Sequence, residues 1–327
     1  MTEKRGKLNK KKFKITKPEY KELPELYDML WRSYEYHFKN SPPDVFVPYI
    51  ENNPSYENEN FFIIKYKDKI VASIQVFFRN VIMNKKVVLM GGIGQVATLP
   101  QFRGNGLAGL LLKETITYMK KKGVSFSLLF AGPVPLYEKY GWKELPIKSY
   151  SFSLKENKIN VKNNKRYKII KYTEKFKYSL FSIHENFIKN FDITILRNPV
   201  YWKEYVYNFK GKESETYLIY DKEKKKVVAY AILKKENQNI ILYEYCSQNE
   251  EEFKFFDFLF NYIIKKFKPN EFYIPYGNKK YIPSLYLTTK FDVKGNIEKG
   301  FMVRDINSHY NWEKISKNAL YFLSDAF

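Results

Sequence analysis

The chain is poor in cysteine, histidine, acid and long apolar runs. One cysteine in 327 residues, Cys246, allows neither an internal disulfide nor a thiolate metal cluster, and reads as a small buried residue. The three histidines, His37, His184 and His309, stand apart and show no metal-ligand spacing, so no metal is expected. Apolar runs such as Leu107-Ala-Gly-Leu-Leu-Leu112 fall far short of the ~18 residues that span a bilayer. No apolar segment follows the basic start at Met1 to make a secretory signal. These absences predict a soluble, cytoplasmic protein without a membrane partner. The 35 Asp+Glu against 57 Lys+Arg leave a net charge of +22, which concentrates polyanions near the surface.

With 44% hydrophobic and 28% charged residues, the composition is that of a folded protein. At roughly 150 residues per domain the length suits two. Basic residues cluster in two places. Residues 1–17 carry eight Lys/Arg against Glu3 and read as a flexible arm, and a basic, Asn-rich stretch at 156–168 reads as a linker. Between them, residues 18–155 alternate in period. Helical spacing runs from Glu22 to His37, a strand pair covers Phe61–Tyr66 and Ile70–Phe78, and a glycine-containing strand covers Val87–Ala97. A helix from Gly106 to Lys122, a strand at Val124–Phe130 and a short helix over Leu136–Tyr140 follow, with strands near Trp142 and Tyr150–Leu154 closing the unit. Residues 169–327 repeat the order of hairpin, strand, long helix and strand. The expectation is an α+β fold with mixed sheets, built as two copies of one unit.

The segment with chemical content is Gly91-Gly-Ile-Gly-Gln-Val-Ala-Thr-Leu-Pro-Gln-Phe-Arg-Gly-Asn-Gly-Leu-Ala-Gly109. A strand, a short glycine loop and a helix in this order bring unpaired N–H groups and a positive dipole end to one point, where a pyrophosphate can sit. Gly104-Asn-Gly-Leu-Ala-Gly109 also matches the dinucleotide fingerprint G-x-G-x-x-G. That reading wants the first glycine directly after the strand and an acid about 20 residues on. Pro100–Arg103 intervene, and no Asp or Glu lies between Glu114 and Glu138.

The alternative frame, Gln101-Phe-Arg-Gly-Asn-Gly106, matches Q-x-x-G-x-G, and Tyr137-Glu-Lys-Tyr-Gly-Trp142 lies downstream. This pairing, with the surrounding element order, resembles the GNAT superfamily of N-acetyltransferases. Within it, the chain resembles the Eis-like group, in which an active GNAT domain precedes a degenerate one. The resemblance implies acetyl-CoA as acyl donor and an amine on a small molecule or peptide as acceptor. It also implies that Val96, Ala97 and Thr98 bind the pantetheine arm through their backbones. Arg103, Gly104, Asn105, Gly106, Leu107, Ala108 and Gly109 would cradle the pyrophosphate, and Tyr137 would protonate the departing thiolate.

Met90–Thr98 holds no acid to serve as base, and the Eis-like resemblance points instead to a terminal carboxylate on Phe327. The second copy has Cys-Ser-Gln-Asn-Glu-Glu-Glu at 246–252 in place of glycines, so it is expected to shape the substrate cleft or a homo-oligomer interface. A polycationic acceptor would need acids such as Asp28, Glu35, Glu244 and Asp325 to gather. A different class of function, nucleic-acid binding through the basic arm and surface aromatics, would depend steeply on salt.

Overall fold

The structure is a computed structural model describing residues 13–34, 47–48, 50–154, 165–203, 206, 214–248, 252–277 and 291–325. An eight-stranded sheet contains β1 (Phe13–Thr16), β2 (Phe61–Tyr66), β3 (Lys69–Met83), β4 (Lys86–Thr98), β5 (Phe126–Phe130) and β6 (Lys143–Glu144), with β9 (Thr194–Ile195) paired to β3. Its remaining strand is β15 (Phe301–Asp305), which lies between β5 and β6. The seven-stranded second sheet contains β7 (Lys148–Leu154), β8 (Tyr167–Lys171), β10 (Glu215–Asp221), β11 (Lys226–Glu236), β12 (Asn239–Ser247), β13 (Glu271–Gly277) and β14 (Phe291–Ile297). The helices are α1 (Leu23–Tyr34), α2 (Leu107–Lys121), α3 (Val134–Glu138), α4 (Lys177–Ile188), α5 (Glu252–Phe267) and α6 (Trp312–Ser316).

Turn chemistry sets the first hairpins. Lys67 and Asp68 join β2 to β3 with φ of 48° and 62°, and Asn84 and Lys85 join β3 to β4 with 49° and 62°. Two successive left-handed residues match the strand twist and allow two-residue connections. On α2, Leu107, Leu111, Leu112, Thr115 and Met119 are buried at helical spacing and seat the helix on the sheet. A Cβ on Gly91 would lie 2.4 Å from the Met119 sulfur, so the glycine admits this close approach.

The two sheets share one order, since β1-β2-β3-β4-β5 corresponds to β8-β10-β11-β12-β13. In both, the fourth and fifth strands run parallel. The expected repeat is therefore present, but its boundary differs from the one read at residue 155. The next strand of each sheet comes from the other half: β15 pairs with β5, and β7 pairs with β13. β15 buries both of its faces, Met302 in the core under α2 and Phe301 with Val303 in the core shared by the two sheets. A strand apolar on both faces belongs inside a sheet. The expected arm is also shorter, because Phe13–Thr16 pairs with β2 and Phe13 packs 5.2 Å from Tyr66. The expected linker ends before β8, which pairs with β10.

A buried polar cluster joins the halves. Arg197 donates to both carboxylate oxygens of Glu244 at 3.0 and 2.6 Å, to Asp325 Oδ1 and Oδ2 at 2.8 Å each, and to Ser324 Oγ at 2.9 Å. Tyr201 donates to Asp325 at 2.9 Å, and Tyr230 donates to Glu244. From β3 of the first sheet, Arg79 donates to the Asp325 carbonyl and, at 3.2 Å, to Asn53. Two carboxylates share one guanidinium here in the absence of solvent. Arg197→Met should cost about 3–5 kcal/mol, because it strands both acids in a buried site. Urea denaturation at neutral pH measures this, and a loss below about 1 kcal/mol would show that the cluster does not hold the halves together.

Candidate acyl-transfer site

Strand β4 pairs with β5 only from Met90 to Ile93. Beyond that point it bulges, since Ser73 faces Ala97 while Gln75 faces Gly94, leaving an extra residue on β4. Gln95 carries the distortion with φ of 51°. The Ser73 hydroxyl donates to the Gln95 carbonyl at 2.9 Å, and the Tyr34 hydroxyl donates to the Val96 carbonyl at 3.0 Å. The strands thus part, and Gly94, Gln95, Val96 and Thr98 are partly exposed along the opening. Of the residues expected to meet the pantetheine arm, Val96 and Thr98 lie along this opening and Ala97 is buried.

The chain then turns through Pro100–Phe102 into the glycine loop and α2. Gly104 and Gly106 have φ of 83° and 76°, and no atom lies within 4 Å of a Cβ built on either. Both glycines are required by backbone conformation and face open space. Gly106 caps α2, which has no acid in its first turn and Lys120 and Lys121 in its last. Its first turn, Leu107 to Gly109, carries N–H groups without intrahelical partners at the positive dipole end. Open space, donors and positive potential fit a pyrophosphate. Arg103, exposed beside the loop, donates from Nε to the Thr98 carbonyl and from Nη2 to the Ser33 carbonyl, both at 3.1 Å, and ties the loop to α1. Asn105 turns inward and donates to the Phe102 carbonyl at 2.9 Å. Both residues shape the loop.

Tyr137 sits on α3 and is 6% exposed. The downstream glycine-aromatic pair explains its placement. Gly141 has φ of 86°, and a Cβ there would lie 2.2 Å from Arg304 Nη1. This tight turn brings the Trp142 N–H back to the Tyr137 carbonyl at 3.3 Å and sets the two rings edge to face, 6.4 Å apart. Burial pushes the Tyr137 phenol up to about 12. Tyr34, at the end of α1, is also held above the usual range, by burial first and then by the neighbouring Tyr137 hydroxyl. The sequence reading missed Tyr34. It lies 62 positions from Val96, and in a chain with 29 tyrosines no local pattern marks it.

Other expected residues fall elsewhere. Phe327 and residues 1–12 lie outside the described residues, as do His37 and Glu35. Glu244 and Asp325 do gather, but around Arg197 and not at an open surface. Cys246 is buried, as expected. His184 is fully buried with neither ring nitrogen hydrogen-bonded, and burial with the nearby Arg197 charge holds it well below the usual imidazole range. Among the described residues no three His, Cys, Asp or Glu side chains converge to hold a metal.

Residues 15–145 match the family model described as an acetyltransferase (GNAT) domain. No curated protein matches the sequence. Among solved structures, a probable N-acyltransferase from Enterococcus faecalis is 18% identical, with 90% of this chain and 73% of that chain covered at a TM-score of 0.73. A GCN5-related N-acetyltransferase from Anabaena variabilis is 17% identical over the same shares, with a TM-score of 0.69. Eis1 from Mycobacterium abscessus is 12% identical, covering 90% and 74%, with a TM-score of 0.64. At these identities the likeness is one of fold, and it spans both sheets.

The Tyr140 ring packs over the first turn of α2, and a Cβ on Gly109 would lie 1.8 Å from its hydroxyl. Gly109→Ala should therefore lower the melting temperature, an overpacking cost of about 1–3 kcal/mol outweighing the ~1 kcal/mol gain in helix propensity. In a Tyr140→Ala background the same change should be neutral or stabilising. A similar loss in both backgrounds would show that the contact is not the cause.

Proposed function

We propose that this chain, whose residues 15–145 match the acetyltransferase (GNAT) domain model, transfers an acetyl group from acetyl-CoA to an amine by direct attack on the thioester. One arrangement carries the assignment: a loop of left-handed glycines feeds the N-terminus of α2 beside the parted strands β4 and β5, with a buried tyrosine close by. The N–H groups of the first α2 turn hold the pyrophosphate without an opposing acid. The edge of β4 at Val96–Thr98, past its pairing with β5, lies along the pantetheine arm and offers peptide groups to its amides, beside the bonds that the Val96 and Thr98 carbonyls already accept from Tyr34 and Arg103.

Tyr137 acts as general acid. It passes its hydroxyl proton to the thiolate as the carbon–sulfur bond breaks, because a phenol is a weaker acid than a thiol and cannot give up its proton in advance, and the proton that the acceptor nitrogen loses on becoming an amide goes through solvent to restore the phenol. Its elevated pKa keeps the proton in place throughout the neutral and mildly alkaline range. Tyr34 holds the β4 bulge through the Val96 carbonyl and keeps the opening in register. Glu244 and Asp325 are spent on Arg197, which argues for a single amine on a small molecule or peptide as acceptor, not a polycation.

Tyr137→Phe should bind CoA within about twofold of the parent in calorimetry, while turnover in a thiol-release assay over an amine panel falls by roughly 10²–10⁴. Unchanged turnover would remove Tyr137 from the reaction. In the parent enzyme no alkaline loss from this group should appear below pH 11, since its titration lies near 12. Gly104→Glu adds a carboxylate at a left-handed position, so CoA affinity should fall by more than about tenfold. CoA binding that survives this change would place the cofactor elsewhere.

A further inference from the structure

A cavity of about 440 Å³ lies where the two halves meet, at the opposite end of β4 from the bulge. Three segments wall it: the Asn84–Lys85 turn between β3 and β4, residues 189–192 after α4, and residues 314–318 in and after α6. Its volume falls within the ~300–1,000 Å³ of small-molecule sites. Asp192, 7% exposed, ties the walls together. Its Oδ1 accepts the Asn84 N–H at 2.6 Å, and its Oδ2 accepts the Asn318 side-chain amide at 2.9 Å. Its backbone N–H donates to the Asn318 carbonyl at 3.0 Å, and its carbonyl accepts from Leu320 at 2.9 Å. The next residue, Ile193, has φ of 64°, a left-handed conformation that a β-branched side chain resists. Such a conformation persists only where the surroundings fix it. A ligand would therefore meet formed walls and would not bear the cost of ordering them.

Charge decides what fits. Lys85, Lys189, Lys314 and Lys317 line the cavity, and Asp192 is the one acid among its described lining residues. Lys317 is taken by Glu313 at 3.2 Å and is set aside. Lys189 donates to the neutral Asn186 side chain at 3.3 Å, which leaves its charge uncompensated. Among the described residues no carboxylate lies within ion-pair distance of Lys85, Lys189 or Lys314, and all three are exposed. Three lysines against one acid leave two net positive charges, and that acid's oxygens are already engaged. We propose that this cavity binds a small molecule carrying a diphosphate group, at a site separate from the glycine loop. The lysines meet the phosphate oxygens as point charges converging from both halves of the chain.

The probe is inorganic pyrophosphate, and the readout is lysine acetylation by sulfosuccinimidyl acetate, resolved by peptide mass spectrometry on the full chain. Against sodium chloride of equal ionic strength, near-saturating pyrophosphate should slow the modification of Lys85, Lys189 and Lys314 by about threefold or more. Lys222 and Lys224, exposed on the turn between β10 and β11, should react as before. In the double variant Lys85→Glu with Lys314→Glu, both at exposed positions, Lys189 should lose its protection. In a folded Gly104→Glu chain the protection should remain, whether or not the glycine loop holds CoA. Equal slowing at Lys222 and Lys224, or none at the three cavity lysines, would overturn the assignment. So would protection of Lys189 that survives the double change, or that disappears with Gly104→Glu.

Discussion

Strands β4 and β5 hold to each other over four residue pairs and then separate, and the candidate chemistry depends on that parting. Exposed strand edges inside a protein are unfavourable, because each leaves peptide groups without partners. Here the bulge at Gln95 turns the edge, and side chains from two other elements brace it, Ser73 from β3 and Tyr34 from α1. The opening is a built feature. The glycine loop, the first turn of α2 and the buried Tyr137 all belong to segments that follow from it, because the chain leaving β4 must turn at the mouth of the gap and cannot continue the sheet.

The second copy shows what the same backbone does with other side chains. β12 and β13 also pair only briefly, from Asn239 to Ile241, and β12 also shifts register at the same stage, between its pairings with Ile232 and Leu233. Beyond that shift, however, residues 242–247 are all buried, whereas 94–96 of the first copy are partly exposed. Glu244 points inward and takes Arg197, with Tyr230 and Ser324 completing the shell. One copy leaves its strand edge partly exposed, and the other fills the corresponding place with an ion pair. The sequence after β12 lacks glycine, and the second copy carries a buried charge cluster where the first is partly exposed.

What the sequence disclosed follows the range of the forces involved. Gly104, Gly106 and Gly141 were legible because left-handed backbone selects glycine locally, and the two-residue turns and the amphipathic α2 are equally local. The strand exchange was not legible. β7 and β15 carry apolar residues that would suit either sheet, and their partners are chosen by packing across more than a hundred residues. Arg197 meets Asp325 over a separation of 128 residues, and nothing near either announces the other. The basic start misled for a related reason. Its charge count describes a solvated tail, yet Phe13 and Ile15 alternate with Lys14 in a strand that the β2 edge accepts.

The exchange changes what each half can do alone. A sheet whose inner strand is supplied by the other half cannot close without it, so the open copy is held in shape partly by the filled one. The Arg197 cluster acts at the same junction: Arg79 of β3 and Arg197 of the second unit both grip Asp325, so the last described residues serve as a clasp between the sheets. Buried ion pairs are a weak source of net stability, since desolvation offsets most of their attraction. Their geometry is demanding, however, and five hydrogen bonds to one guanidinium admit few alternative dockings. On that reasoning the second copy contributes alignment. It fixes how β15 enters the first sheet beside β5, and hence how α3, which carries Tyr137 between β5 and β6, sits against the opening.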